Sequence, residues 1–203
     1  MLHSVTREFI RAIPKTDLHV HLDGSLRLST LMELARSCGV KLPSNEEAGM
    51  RELVFKEKYG NLAEYLEGFA YTCAVLQSAE NLERAACELA QDCLAEGVRY
   101  IEVRFAPQLH VRESLSLERV VRAVSDGLAR AKTEHNASAA VQSGDDIPFE
   151  YGLILCAMRS FNEDMGPYFA QLLGSLTYTP RKRVFATASL ELARAAARLA
   201  RDG

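Results

Sequence analysis

The chain has 203 residues, 48% of them apolar and 25% charged, with 24 basic against 27 acidic side chains and a net charge of −3. At roughly 150 residues per domain this is one domain or at most two, and the composition excludes a disordered, collagenous or coiled-coil chain. The balanced charge excludes a dedicated nucleic-acid or anionic-membrane binder, and no apolar run approaches the roughly 20 residues of a membrane helix.

Residues 1–15 lack the long apolar core and small-residue cleavage site of a secretory signal. Cys38, Cys73, Cys87, Cys93 and Cys156 are an odd count in mostly apolar helical surroundings. They read as buried reduced thiols, and the expectation is a cytoplasmic protein.

Three segments carry strand character, separated by helices. Residues 16–22 (TDLHVHL) alternate polar with apolar. Residues 29–38 have helical spacing and end at Gly39. Residues 61–77 place Leu62, Tyr65, Leu66 and Phe69 on one helical face, and residues 81–96 follow Ser78 as a cap and close on Gly97. Residues 98–105 (VRYIEVRF) form the second strand and stop before Pro107. Ser116 caps a helix over 117–134, and 133–150 reads as a loop. Residues 151–158 (YGLILCAM) are almost continuously apolar, which predicts a strand buried on both faces. Helices follow over 161–173, despite Gly166-Pro167, and over 188–201. Asp202-Gly203 reads as a helix cap leading toward a fourth strand. Strands alternating with helices predict an α/β fold with a parallel sheet.

Side chains two apart on a strand share a face. Asp17, His19, His21 and Asp23 are therefore expected together, opposite Leu18, Val20 and Leu22. Two imidazoles at i and i+2 can approach one metal ion, and an incomplete protein ligand set leaves room for water. The same pattern also suits an amphipathic strand whose histidines are merely solvated. Asp23-Gly24 follows at the strand's carboxyl end, where α/β folds gather catalytic groups. Glu102 and Arg104 are expected to pair inside the sheet, with Asp17 near them, since an isolated buried charge is costly. His110, past Pro107, reads as a solvated loop residue. Met158, Arg159 and Ser160 could touch a ligand or only cap and pack.

The segment KTDLHVHLDGSLR (15–27) resembles the opening motif of the adenosine deaminase family of the amidohydrolase superfamily. KYGNLAEYLEGF (58–69) is similar to that family's helical flap, EGVRYIEVRFAPQLH (96–110) to its second barrel strand, and YGLILCAMRS (151–160) to its third. The resemblance implies a (β/α)8 TIM-type barrel, of which this chain holds about three of eight units as a single, incomplete domain over residues 1–203. It implies one Zn²⁺ per complete site, with His19 and His21 as ligands. It implies that His21 and Asp23 meet a purine nucleoside, Asp23 at the ribose, and that Leu62, Tyr65, Leu66 and Phe69 close over it. The implied reaction is hydrolytic deamination of adenosine or deoxyadenosine to inosine or deoxyinosine plus ammonia.

The family reaction also needs a third histidine and a glutamate in a His-x-Gly-Glu motif, then a later histidine and an aspartate. None occurs in residues 1–203. No catalytic acid or base is therefore assigned within the chain, and the chain alone is expected to be inactive. The alternatives are a non-catalytic fragment, a half-barrel completed by a carboxyl-terminal partner chain, or a deaminase of adenine or another adenosine-like nucleoside. Exposed strand edges would also allow a homo-oligomer.

Overall fold

A computed structural model describes residues 5–201. The cap expected at Asp202-Gly203 lies outside them. Strands β1 (Lys15–His21), β2 (Val98–Phe105) and β3 (Glu150–Leu155) form one parallel sheet in the order β1-β2-β3. Helix α1 (Arg7–Ala12) precedes β1, and α2 (Leu28–Cys38), α3 (Glu47–Leu53), α4 (Leu62–Val75) and α5 (Ala79–Ala95) join it to β2. Helices α6 (Leu117–Asn136) and α7 (Ala139–Ser143) join β2 to β3, and α8 (Pro167–Ser175) and α9 (Arg181–Leu199) follow. Parallel neighbours need such long crossovers, so the sheet is the α/β arrangement the sequence predicts.

The caps explain why the elements start and stop where they do. The Ser78 side chain accepts from Asn81 N–H and opens α5; Ser116 accepts from Arg119 N–H and opens α6. Gly97, at φ +82°, turns the chain from α5 into β2, and a Cβ there would lie 2.8 Å from the Arg11 carbonyl. Its own carbonyl accepts from Lys15 N–H at 3.0 Å, which ties the start of β1 to the start of β2.

Along β2 the alternation is physical. Ile101, Val103 and Phe105 are buried and belong to one core with Leu82, Leu89, Val120, Val124 and Leu128. Tyr100, Glu102 and Arg104 occupy the other face and are only half-buried. The expectation that β3 is buried on both faces fails for the same reason. Tyr151 to Leu155 are half-buried, because β3 is the sheet's edge and its second face meets no covering layer among the described residues. The strand ends at Leu155, before the expected 158, since β2 stops at Phe105 and offers only one more bond, from Cys156 N–H to the Phe105 carbonyl.

Other differences are local. The expected helix over 161–173 divides into a 3₁₀ turn (Glu163–Met165) and α8, with Gly166 at φ +142° between them and Pro167 at the first helical position. Helix α9 begins at Arg181, earlier than 188, behind Pro180. Helices α1 and α7 bury no residue, so they left no apolar stripe to read. Cys87 and Cys93 are buried as expected, but Cys38 is exposed at the end of α2.

The turn after β2 (Pro107–Leu109) overturns the reading of His110 as solvated. His110 is fully buried, its Nδ1 lies 2.8 Å from the Leu76 carbonyl, and its Nε2 has no partner. A carbonyl only accepts, so Nδ1 carries a proton. Burial holds its pKa down at about 4.

Two outcomes follow from this packing. Gly127 of α6 presses on α5: a Cβ there would sit 2.1 Å from the Glu83 carbonyl. Gly127→Ala should lower stability by about 1–3 kcal/mol, whereas Gly174→Ala, with nothing within 4 Å, should be neutral or slightly stabilising. Urea unfolding of both variants checks this, and equal midpoints would contradict it. His110 takes up a proton in the unfolded chain near 6.5 but in the folded chain only near 4. Stability should therefore fall as pH drops through that window, by at most about 1.4 kcal/mol per pH unit. His110→Asn should show a shallower fall, and an identical fall in both proteins would contradict the assignment.

Candidate functional site

Strand β1 does not alternate strictly. Asp17 stands opposite Ile101 and Val20 opposite Val103, so three steps of β1 match two of β2. The extra residue is a β-bulge at Leu18-His19. It shifts Asp17 to the side of Ile101 and leaves Leu18 54% exposed, so the expected sharing of one face by Asp17 with the histidines does not occur. The cause lies in the segment itself: Asp17 Oδ1 accepts from His19 N–H at 3.0 Å.

Beyond the bulge the expected geometry returns. His21 stands opposite Arg104, so His19 and His21 emerge on the face of Glu102 and Arg104. Their ring centroids are 5.4 Å apart with planes tilted by 35°. Glu102 and Arg104 take separate partners: Glu102 accepts from the Tyr100 hydroxyl at 3.3 Å, and Arg104 Nη2 donates to the Leu18 carbonyl at 2.9 Å. The expected Glu102–Arg104–Asp17 ion network is thus replaced by a guanidinium that holds the bulge.

Asp23 follows directly. It is 7% exposed, its Oδ1 lies 3.8 Å from His21 Nδ1, and that oxygen accepts no hydrogen bond. Burial raises its pKa, while the His21 ring acts in the opposite sense. Ser25 Oγ donates to the His21 carbonyl at 2.6 Å and fixes the turn that carries Asp23 and Gly24. A Cβ on Gly24 would stand 3.4 Å from Phe69, so helix α4 lies directly over the strand end.

Helix α4 is anchored at its start by reciprocal capping. Asn61 Oδ1 accepts from Glu64 N–H, while Glu64 accepts from Gly60 N–H and pairs with Lys56 at 2.6 Å. Tyr65 and Phe69 meet edge-to-face at 5.7 Å. Tyr65, Leu66 and Phe69 line a groove of about 1280 Å³ together with His19, His21 and Asp23. Leu62, expected with them, does not line it and is 69% exposed. Met158 lines the groove, whereas Arg159 and Ser160 are exposed beyond it.

Cys73, which helical spacing also puts on the face of Leu62, Tyr65, Leu66 and Phe69, lines the groove as well. Other lining residues left no signal in the sequence reading: Gln77 lies just past the end of α4, Arg112 comes from the loop after β2, and residues 163–167 with Ala170 form a further wall. Cys73 is held as a neutral thiol, its pKa pushed up to about 12 by burial and by Asp23. Gly166-Pro167, a turn followed by a helix-starting proline, was the one sequence mark of that wall.

No group of three or more His, Cys, Asp or Glu side chains able to hold a metal occurs among the described residues. The donor pair His19/His21 nevertheless suits a borderline metal such as zinc, which accepts imidazole nitrogen and leaves positions for other ligands. Apolar and aromatic side chains of α4, a buried carboxylate oxygen without a hydrogen-bond donor and two imidazoles thus meet in one groove at one strand end, the mix of apolar lining and few polar groups that small-molecule sites use.

Comparison with known proteins converges on one family. The adenosine deaminase family profile matches residues 14–194. A probable adenosine deaminase of Dictyostelium discoideum is 37% identical over 83% of this chain and 20% of its own length. The adenosine deaminase of Vibrio atlanticus is 42% identical over 75% of this chain and 42% of its own. The chain thus spans less than half the length of these curated relatives. Among solved structures, Arabidopsis ADAL complexed with GMP superposes with a TM-score of 0.56 at 26% identity, covering 84% of this chain and 48% of that one. A Burkholderia ambifaria amidohydrolase with bound Zn gives 0.60 at 22% identity over 97% of this chain and 53% of that one, a likeness of fold. The three strand–helix units are accordingly the amino-terminal part of a (β/α)8 barrel.

Proposed function

Because this chain belongs to the adenosine deaminase family, we propose that it is the amino-terminal portion of a zinc-dependent hydrolase that deaminates adenosine or deoxyadenosine to inosine or deoxyinosine plus ammonia. The observation that carries the reading is the groove itself, where His19, His21 and Asp23, whose buried Oδ1 accepts no hydrogen bond, meet the Tyr65-Leu66-Phe69 lid. The 203 residues form a single, incomplete barrel domain in this reading.

His19 and His21 hold the zinc, which when bound supplies Lewis acidity that lowers the pKa of water to ~7. Asp23 accepts a ribose hydroxyl with its free oxygen. That preference for a sugar favours a nucleoside over bare adenine. Phe69 and Leu66 cover the purine and exclude water, with Tyr65 packed edge-to-face on Phe69. The remaining metal ligands and the proton-transfer groups come from a carboxyl-terminal half of the barrel. That half is either continuous with this chain or a partner chain docked on the sheet edges. The reading places the protein in purine metabolism in the cytoplasm, without nucleic-acid or membrane partners. No helix among the described residues is long and apolar enough to cross a membrane.

The test joins the 203-residue chain to a carboxyl-terminal half and measures zinc content and ammonia release. The chain alone should elute above monomer size, through its unpaired strand edges, and release no ammonia from adenosine. The completed barrel should bind zinc and turn over. His19→Ala or His21→Ala should remove zinc and activity together. Asp23→Ala should keep zinc but weaken nucleoside binding by about 10- to 100-fold, as for a lost hydrogen bond to a charged group. An Asp23→Ala protein without zinc beside a His19→Ala protein with zinc would overturn the assignment.

A further inference from the structure

Regular pairing continued from Asp17 opposite Ile101 would set His19 opposite Val103 and His21 opposite Phe105. Val103 and Phe105 are buried in the core that α5 and α6 share. Both imidazoles would then enter that core, and Val20 would face the groove in their place. The bulge at Leu18-His19 reverses the outcome, with Val20 opposite Val103 and His21 opposite Arg104. Re-aiming side chains is what a bulge does to a strand.

Two contacts hold the bulge, one from each side of the sheet. Asp17 stays on the helix side, where its carboxylate adds to the burial that pushes the Cys93 thiol of α5 up to about 11. From there its Oδ1 accepts from His19 N–H at 3.0 Å. On the groove side, Arg104 Nη2 donates to the Leu18 carbonyl at 2.9 Å. Each residue of the bulge is thus pinned through its main chain, and neither contact engages an imidazole ring.

We propose that Asp17 and Arg104 are positioning residues for the metal: by fixing the bulge they set the angle at which the His19 and His21 rings meet one ion, and with it the ion's affinity and coordination geometry. The inference rests on the metal reading given above and deepens it. Asp17 supplies an acceptor oxygen to a neutral amide, and asparagine carries the same oxygen. Arg104 supplies one N–H to a carbonyl, which a lysine ammonium can also donate. Arg104 Nε is buried with no hydrogen-bond partner among the described residues. Removing the guanidinium therefore also removes a desolvation cost, and its loss should be felt in the metal site rather than in the fold.

The experiment uses the barrel completed by a carboxyl-terminal half, with Co²⁺ in place of zinc because its visible absorption reports coordination geometry. Cobalt affinity is measured by competition with a chelator, and the metal-free proteins are unfolded in urea. Asp17→Ala and Arg104→Met should each weaken cobalt binding by about 10- to 100-fold, the range for losing a group that orients a metal ligand. Both should alter the visible spectrum of the loaded protein while the metal-free urea midpoint stays close to the native one. Asp17→Asn and Arg104→Lys should return affinity and spectrum toward native. Native affinity and spectrum in Asp17→Ala and Arg104→Met, beside a His19→Ala protein that has lost the metal, would overturn the inference and leave the metal reading intact. Equal losses in Asp17→Asn and Asp17→Ala would overturn it too, because charge and not the bond to His19 N–H would then matter. So would a loss of affinity matched by an equal loss of metal-free stability. Cobalt bound as tightly by His19→Ala as by the native barrel would overturn the metal reading and the inference with it.

Discussion

The burial of one face of β2 is the constraint on which the rest of this structure depends. Ile101, Val103 and Phe105 are removed from water by the α5–α6 layer, and burial of such side chains is worth roughly 1.5–3 kcal/mol each. That layer can sit close only because Gly127 lets α6 approach the α5 backbone. With one face committed to the helices, Tyr100, Glu102 and Arg104 must occupy the other. His21, opposite Arg104, is carried to that same side. Core packing and the orientation of the donor pair are thus two results of one alternation.

The alternation was legible where it was strict. The bounds of β2 follow from the sequence because its apolar residues recur every second position and Pro107 ends the run. The helices α5 and α6 were legible through Ser78, Gly97 and Ser116, whose side chains or φ angles do locally what their residue types suggest. Strand β1 was legible in type but not in phase. Its pattern is equally regular with or without a bulge, and the deciding bond, from His19 N–H to Asp17, is a side-chain contact that periodicity does not encode. His110 was misplaced for a similar reason. A polar residue after a proline reads as loop, and nothing in the sequence announces that Leu76, 34 residues away, supplies its acceptor.

The groove shows the same division between local and long-range information. The α4 stripe of Tyr65, Leu66 and Phe69 could be read from helical spacing, although spacing alone does not separate a lid from a core face. Leu62 belongs to the stripe by number but points away from the groove. The wall of residues 163–167 depends on a second cluster whose members span Phe161 to Ala188. Pairing across such a distance is invisible to local pattern.

The bulge in β1 has an implication for how this strand can change over time. Its kink is sustained by a carboxylate and an amide two residues apart, with Arg104 as an outside brace. The aim of the imidazoles is therefore inherited as a short contiguous unit, Asp17 to His21, rather than as an agreement among scattered positions. A segment of that kind can tolerate drift in the helices around it. It cannot tolerate a single inserted or deleted residue within itself, because a one-residue slip in a strand sends every following side chain to the opposite face. Substitutions of the neighbours adjust the setting of the pair, while a change of length removes it.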